Sequence, residues 1–253
     1  MRRIKLIVAY DGTEYSGWQI QPEAPTIEMY LDKAIRELTG ENVHVTGASR
    51  TDAGVHAYGN VAVFDTESTI PGDRFTFALN RFLPDSIVIQ DSWEVSVDFH
   101  PRHCDTRNTY EYRILNTAVP LPQKRNFTWH VAGSIDIEKM KEAAAYIVGE
   151  HDFKSFCCVR TQAESTVRTI YSLEVLQEGS EIIIRIKGNG FLYNMVRIIT
   201  GTLIQVGKGR FKPEYVKQML EAKDRTVAGQ TAPPQGLTLV GIEYVDNDDA
   251  RVV

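Results

Sequence analysis

Residues 4–10, mostly apolar with Lys5 between Ile4 and Leu6, alternate well enough to predict a strand, ended by the turn pair Asp11-Gly12. Residues 11–19 read as a loop rich in glycine, tyrosine and tryptophan. Thr26 then caps a helix whose apolar positions, Ile27, Tyr30, Leu31, Ala34, Ile35 and Leu38, recur at helical spacing, with Gly40 closing it. Strands are predicted over 43–48 and 60–66. A short helix starts at Asp73 and is stopped by Pro84, and 87–95 is a fourth strand. The order is β-α-β-β-α-β. Residues 98–108 are polar and irregular and read as a joint, which divides the chain into domains 1–104 and 105–253. Beyond it the same order returns. There is a strand over 110–116 and a helix over 137–148 ending at Gly149. A hairpin follows, with strands 167–177 and 181–187 about Glu178-Gly179-Ser180. An apolar helix spans 191–206, an extra helix 213–222 and a last strand 237–244. Two such units in series predict an α+β, duplicated ferredoxin-like architecture, without an obvious sequence repeat.

At 253 residues and 43% hydrophobic content the chain can bury a substantial core. It has no run of eighteen apolar residues, so no membrane span is expected. The amino terminus, Met1-Arg2-Arg3-Ile4-Lys5, runs into a strand pattern without a signal-like apolar segment. The three cysteines, Cys104, Cys157 and Cys158, form no CxxC pair, and a cytoplasmic protein with reduced thiols is expected. The net charge is −5, which argues mildly against a nucleic-acid partner. Charge is unevenly spread, however. Acids concentrate at 136–142 and 246–249, while bases recur at Arg102, Arg107, Lys124-Arg125, Arg160, Arg168, Arg197 and 208–212. One basic face remains possible within that total.

The stretch from Thr46 to Ala57 carries the densest chemistry. Arg50, Asp52, Gly54 and His56 fall within seven residues between two predicted strands. Alternation would put Arg50 and Asp52 on one side of an extended chain. The plain reading is an exposed hairpin with a surface ion pair worth less than about 1 kcal/mol. Other constellations fail. The six histidines form no HxxxH and stand beside no cysteine pair, and His100-Pro101-Arg102-His103 has proline at its middle and no helix to align its rings. There is no GxSxG, no P-loop and no dinucleotide fingerprint. No catalytic metal is expected.

Arg197 lies on a helix that is otherwise apolar, through Met195, Val196, Ile198, Ile199, Leu203 and Ile204. A buried arginine needs an anionic partner. Two readings stand: a structural ion pair or snorkelling side chain, and a partnership with the carboxylate of Asp52. Tyr110, in Tyr110-Glu111-Tyr112, is either a packing residue of its strand or a ring that faces a site, stacks on a base and offers its hydroxyl.

Together these segments resemble one family. Arg50-Thr51-Asp52-Ala53-Gly54-Val55-His56-Ala57 looks like the signature loop of the tRNA pseudouridine synthase A family. Tyr10-Asp11-Gly12 with Tyr15, Gly17, Trp18 and Gln19 resembles its amino-terminal pattern. Asp98-Phe99-His100-Pro101-Arg102 followed by Tyr110-Glu111-Tyr112-Arg113 resembles the segment linking its halves. Phe191-Leu192-Tyr193-Asn194-Met195-Val196-Arg197 and Gly236-Leu237-Thr238-Leu239 resemble its two later motifs. The order and spacing agree from residue 4 to about residue 245. The chain departs from the pattern at Ser49, where glycine is usual, and at Asn108-Thr109, where basic residues are common.

The resemblance implies two halves joined in one mixed, mainly antiparallel sheet with a central cleft, and a homodimer. It implies a tRNA substrate modified on the 3′ side of the anticodon stem-loop, at positions 38 to 40, with no cofactor. Residue by residue, it implies that Asp52 is the catalytic aspartate and Tyr110 the base-stacking tyrosine. It makes Arg50 the residue that handles the displaced nucleotide, Arg197 the partner of the aspartate and Leu237 an apolar wall. The chemistry suits these residue types. Isomerising uridine breaks C1′–N1 and forms C1′–C5 without net redox change, and a stacked base must first leave its helix. An ionised carboxylate can act at C1′ as nucleophile or at C2′ as base, and an arginine beside it keeps it charged in a dry pocket. The rivals are a non-catalytic RNA-binding protein on the same fold and a metal-free hydrolase that would release free uracil.

Overall fold

The computed structural model describes residues 1–158 and 163–245; Arg160 and the acidic run 246–249 lie outside the described residues. The fold is α+β, as the patterning predicts, with ten strands and five α-helices among the described residues. Two compact units are distinguished, one of Met1–Asp105 with the strand that follows Thr238, the other of Thr106–Leu237.

The first unit has the predicted order: β1 (Arg2–Tyr10), α1 (Ile27–Thr39), β2 (Thr46–Gly47), β3 (His56–Thr66), α2 (Phe75–Leu79) and β4 (Ile87–Val95). β1 lies between β3 and β4 and pairs antiparallel with both. Such a central strand is covered on both faces. Ile4, Leu6 and Val8 are fully buried on one, while Ile7 joins Val61 and Trp93 in a second cluster on the other. Lys5 also points to this second face and is only 3% exposed. Its ammonium sits 4.5–4.8 Å from the ring centres of Trp93, Phe99 and Tyr244, a cation–π environment that replaces part of its lost hydration. α1 buries Ile27, Leu31, Ala34 and Ile35, the face its periodicity marked out.

Two boundaries in this unit differ from the sequence reading. The strand predicted over 43–48 shrinks to two residues because Asp32 of α1 captures the Val45 N–H at 2.8 Å, which removes it from the ladder. β3 starts at His56 rather than Asn60 because its first residues gain a partner from the far end of the sequence. β10 (Leu237–Tyr244) runs parallel to β3, with Thr238 opposite His56 and Leu239 opposite Ala57. No local pattern could carry that pairing.

In the second unit come β5 (Thr106–Leu115), β6 (Trp129–His130), α3 (Ile137–Ala145), β7 (Gly149–Asp152), β8 (Val167–Glu178), β9 (Glu181–Gly188), α4 (Met195–Gly207) and α5 (Tyr215–Ala222). Antiparallel pairing gives the order β5-β9-β8-β7, with β6 parallel on β5. β6 and β7 are additions to the predicted set. Gly-Glu-His-Asp at 149–152 has no apolar alternation, so only its pairing with β8 makes it a strand. β5 begins four residues before the predicted strand, inside the segment read as a joint, because Asn108 and Thr109 already pair with Gly188 and Lys187. α4 begins at Met195, not at residue 191, because Asn194 takes a left-handed conformation (φ 63°) that interrupts a helix. α4 is nearly all buried and forms the core of this unit with Met140, Ala143 and Ala144 of α3.

Candidate active site

Residues 48–55 form neither helix nor strand, so their backbone groups need partners from elsewhere. The loop at 11–19 supplies them. The Trp18 N–H donates to the Thr51 carbonyl at 3.1 Å, and the Gly54 N–H donates to the Tyr15 carbonyl at 3.2 Å. The Val55 N–H closes a turn on the Asp52 carbonyl at 3.1 Å. Gly17 makes this approach possible. Its φ is +97°, and a Cβ there would stand 2.7 Å from the Thr51 carbonyl oxygen. At the end of the loop the buried His56 ring accepts the Gly12 N–H at 3.0 Å, with an Asp11 carboxylate oxygen 3.2 Å from the same nitrogen. The aspartate is therefore carried on an irregular segment tied on both sides of it.

Asp52 is half-buried and Arg50 is exposed. The surface pair that alternation would allow between them is not formed. Arg50 makes no ion pair among the described residues. Its charge is felt instead at Arg102. Burial and then the like charge of Arg50 hold the Arg102 guanidinium below its ordinary value, with Glu28 opposing. Two arginines in one field raise the local positive potential. Nearby, the His100 and His103 rings do align, stacked at 3.8 Å through a turn rather than a helix. No group of three His, Cys, Asp or Glu side chains among the described residues could hold a metal ion.

Tyr110 is buried on β5 opposite Ile186 of β9, and the Phe191 ring meets it edge-on at 5.2 Å. Two residues along, on the same strand face, the Tyr112 hydroxyl donates to the Pro233 carbonyl at 2.6 Å. Burial raises the Tyr112 pKa, against an opposing pull from Arg197, and keeps that hydroxyl protonated. Arg197 lies in the first turn of α4 and is half-buried rather than enclosed by its apolar helix. Its Nε donates to the Ala232 carbonyl and its Nη1 to the Asn194 side chain, both at 2.7 Å. The Ala232 N–H returns a bond to the Arg197 carbonyl at 3.0 Å. The strap at 229–236 lies this close to α4 because residue 201 is glycine. A Cβ there would fall inside the van der Waals shell of the Gln230 carbonyl. The strap leads directly to Leu237, which is buried. Within the second unit the strap thus draws together Arg197, Tyr112 and the approach to Leu237.

Sequence reading missed one residue of the first unit. Asn60, in the sequence only the start of a predicted strand, is fully buried and its amide bonds to the backbone of Ser49.

A family profile described as tRNA pseudouridine synthase matches residues 6–103 and 143–245. The chain belongs to that family. It is 48% identical over 244 residues to the tRNA pseudouridine synthase A of Thermoanaerobacter sp. (strain X514), covering 96% of this chain and 100% of that one. Against the tRNA pseudouridine synthase A of Ruminiclostridium cellulolyticum the identity is 50% over 245 residues, again 96% of this chain and 100% of the relative. That of Acetivibrio thermocellus is 49% identical over 244 residues with the same coverage. A solved Cbf5-Nop10-Gar1 complex aligns at TM-score 0.30 and 12% identity, over 93% of this chain and 56% of that one, a likeness too low to bear on the fold. With the family comes the reaction class: the enzyme is an isomerase, a pseudouridine synthase acting on tRNA. Arg50 and Asp52 fall in the first matched segment, Arg197 and Leu237 in the second, and Tyr110 between the two. No helix among the described residues is long and apolar enough to cross a membrane.

Proposed function

We propose that this synthase isomerises uridines on the 3′ side of the tRNA anticodon stem-loop, at positions 38 to 40, on a base flipped out of the stem, with Asp52 as the catalytic carboxylate. The observation that carries the reading is the Asp52 loop. Residues 49–56 are held by bonds from Trp18, Tyr15, Gly12, Tyr10 and Asn60 of their own unit and by the turn from Val55 to Asp52, the preorganisation that a group acting on a ribose carbon needs.

In this reading the extruded uridine presents C1′ to the Asp52 carboxylate. The C1′–N1 bond breaks, the uracil turns, and C5 bonds to C1′. C5 then loses its proton and N1 gains one, so atoms and charge balance without an oxidant or reductant. Asp52 serves ionised, at C1′ or at C2′. Arg50 takes the place of the displaced nucleotide or holds its flanking phosphate, and the field it shares with Arg102 supports that role. Tyr110 stacks on the flipped ring, Arg197 keeps the aspartate charged, and Leu237 forms an apolar wall of the pocket. The enzyme works in the cytoplasm as a homodimer and without a cofactor.

The test is to incubate the protein with unmodified tRNA transcripts carrying uridine at only one of positions 38, 39 or 40 and to map the product. Pseudouridine at those positions is the expected result. Pseudouridine elsewhere would overturn the assigned target. Released uracil would make the protein a hydrolase, and binding without conversion would make it a non-catalytic RNA-binding member.

A further inference from the structure

The first unit contains two asparagines that do the same thing in different places. Asn60, on β3 and fully buried, accepts the Ser49 N–H on its Oδ1 at 3.2 Å and donates its Nδ2 to the Ser49 carbonyl at 2.9 Å. Asn80, after α2, accepts the Ile89 N–H at 2.7 Å and donates to the Ile89 carbonyl at 2.9 Å. In each case a side-chain amide imitates a neighbouring strand and satisfies both backbone groups of one residue. Asn80 thereby fastens a helix end to β4. Asn60 fastens the residue that enters the catalytic loop, three positions before Asp52.

The Asn60 amide has a further connection. Its Nδ2 also lies 3.4 Å from the Tyr10 hydroxyl, which bonds the Thr51 hydroxyl at 2.7 Å. Tyr10, Asn60 and Thr51 are all buried. Ser49 and Thr51 are therefore gripped through one buried polar network, with Arg50 between them and Asp52 immediately after. Buried polar networks of this kind are costly unless fully satisfied, and their geometry is correspondingly rigid.

We infer that Asn60, with Tyr10, is a positioning residue for the reaction: the network sets the place of the Asp52 carboxylate relative to the bound ribose. The inference rests on the reading of Asp52 as the catalytic group. Neither residue needs to touch substrate. Asn60→Asp keeps the acceptor for the Ser49 N–H but sets a carboxylate oxygen against the Ser49 carbonyl, which pushes the loop away. Tyr10→Phe removes only the hydroxyl.

The experiment measures single-turnover conversion of unmodified tRNA at saturating enzyme, tRNA Kd and thermal midpoint. It compares wild type, Asn60→Asp, Asn80→Asp, Tyr10→Phe and Asp52→Ala. Displacement of a reacting group by about 1 Å costs on the order of 10²-fold in rate. Asn60→Asp should lose about that much, and Tyr10→Phe about tenfold, each with Kd within about twofold of wild type. Asn80→Asp should lower the midpoint yet keep the wild-type single-turnover rate. If Asn60→Asp does not fold, Tyr10→Phe alone decides. A normal rate in Tyr10→Phe, or losses in Asn60→Asp that appear in Kd and not in the rate, would overturn the inference. Equal rate losses in the Asn60 and Asn80 variants would also overturn it by reducing the effect to general stability. An active Asp52→Ala would overturn the reading beneath it, whereas an inactive Asp52→Ala beside a fully active Asn60→Asp would overturn this inference alone.

Discussion

Asp52 and Arg197, the two charged residues at the centre of the proposed chemistry, are held by different means. Asp52 sits on a stretch with no regular structure, and its neighbours' backbone is tied by the 11–19 loop, by Asn60 and by Tyr10. Arg197 sits on a regular helix, and it is the guanidinium that is tied, to Ala232 and Asn194. A short carboxylate has two rotatable bonds, so fixing its backbone confines its oxygens to a few positions. A long arginine has four, so a rigid helix leaves its head group undetermined until the head group is itself bonded. The bonds described for the first unit thus act on backbone, and those described for the second act on the side chain itself. In both cases a glycine admits the restraining segment, Gly17 beside Thr51 and Gly201 beside Gln230.

The largest effects that could break this comparison come from the charged side chains. Asp52→Ala should reduce conversion by on the order of 10⁴-fold with tRNA Kd close to that of the wild type. Arg197→Ala should lower both conversion and stability, because it strips the Ala232 carbonyl of a charged donor, at a cost of about 1–3 kcal/mol in urea unfolding. A fully stable Arg197→Ala would show that the guanidinium bonds do not hold the strap.

The glycines come next. Gly17→Ala and Gly201→Ala should each cost about 1–3 kcal/mol by forcing backbone apart. Gly17→Ala should also slow single-turnover conversion at constant tRNA Kd, since it presses directly on Thr51. If Gly17→Ala were as stable and as fast as wild type, the 11–19 loop would not be what places Asp52. Tyr110→Phe should be milder than Tyr110→Ala, because the edge-on contact with Phe191 survives and only the hydroxyl is lost. A conversion assay showing the two variants equally impaired would remove the ring from its proposed stacking role.

Acid provides the smallest effect and a parallel in each unit. The Arg3 guanidinium holds Asp65 below its ordinary 3.8. Burial pushes Glu181 up, but bonds from Lys124 and Arg113 outweigh it and hold the carboxyl below its ordinary 4.5. A carboxyl with a depressed folded-state pKa contributes stability above its unfolded value and loses it as pH falls through the folded one. Asp65→Asn and Glu181→Gln should therefore each lose about 1 kcal/mol or less at neutral pH. That deficit relative to wild type should vanish in unfolding curves below the range of the ordinary carboxyl values.

What the sequence disclosed follows the same division. Periodicity reveals α1, β4 and the β8–β9 hairpin because their stability is local or lies on one face. It cannot reveal β7, a polar tetrapeptide made a strand by β8, or the late start of α4, set by one left-handed asparagine. Asp52 and Arg197 announce themselves as charges in unusual company. Asn60 does not: an asparagine in a strand has no signature until Ser49 is seen beside it and water is seen to be excluded. The plain reading of Arg50 and Asp52 as a surface pair does not hold either, since two charges at alternating positions need not meet and Arg50 makes no ion pair among the described residues.

The most direct test of the central claim is conversion by Asp52→Asn, which keeps the size of the side chain and removes its charge. Unmodified tRNA incubated with this variant and with wild type is digested to nucleosides, and tRNA affinity is measured in parallel. The account predicts pseudouridine from the wild type, none from Asp52→Asn and nearly equal Kd for both. Pseudouridine formed by Asp52→Asn at an appreciable fraction of the wild-type rate would contradict it.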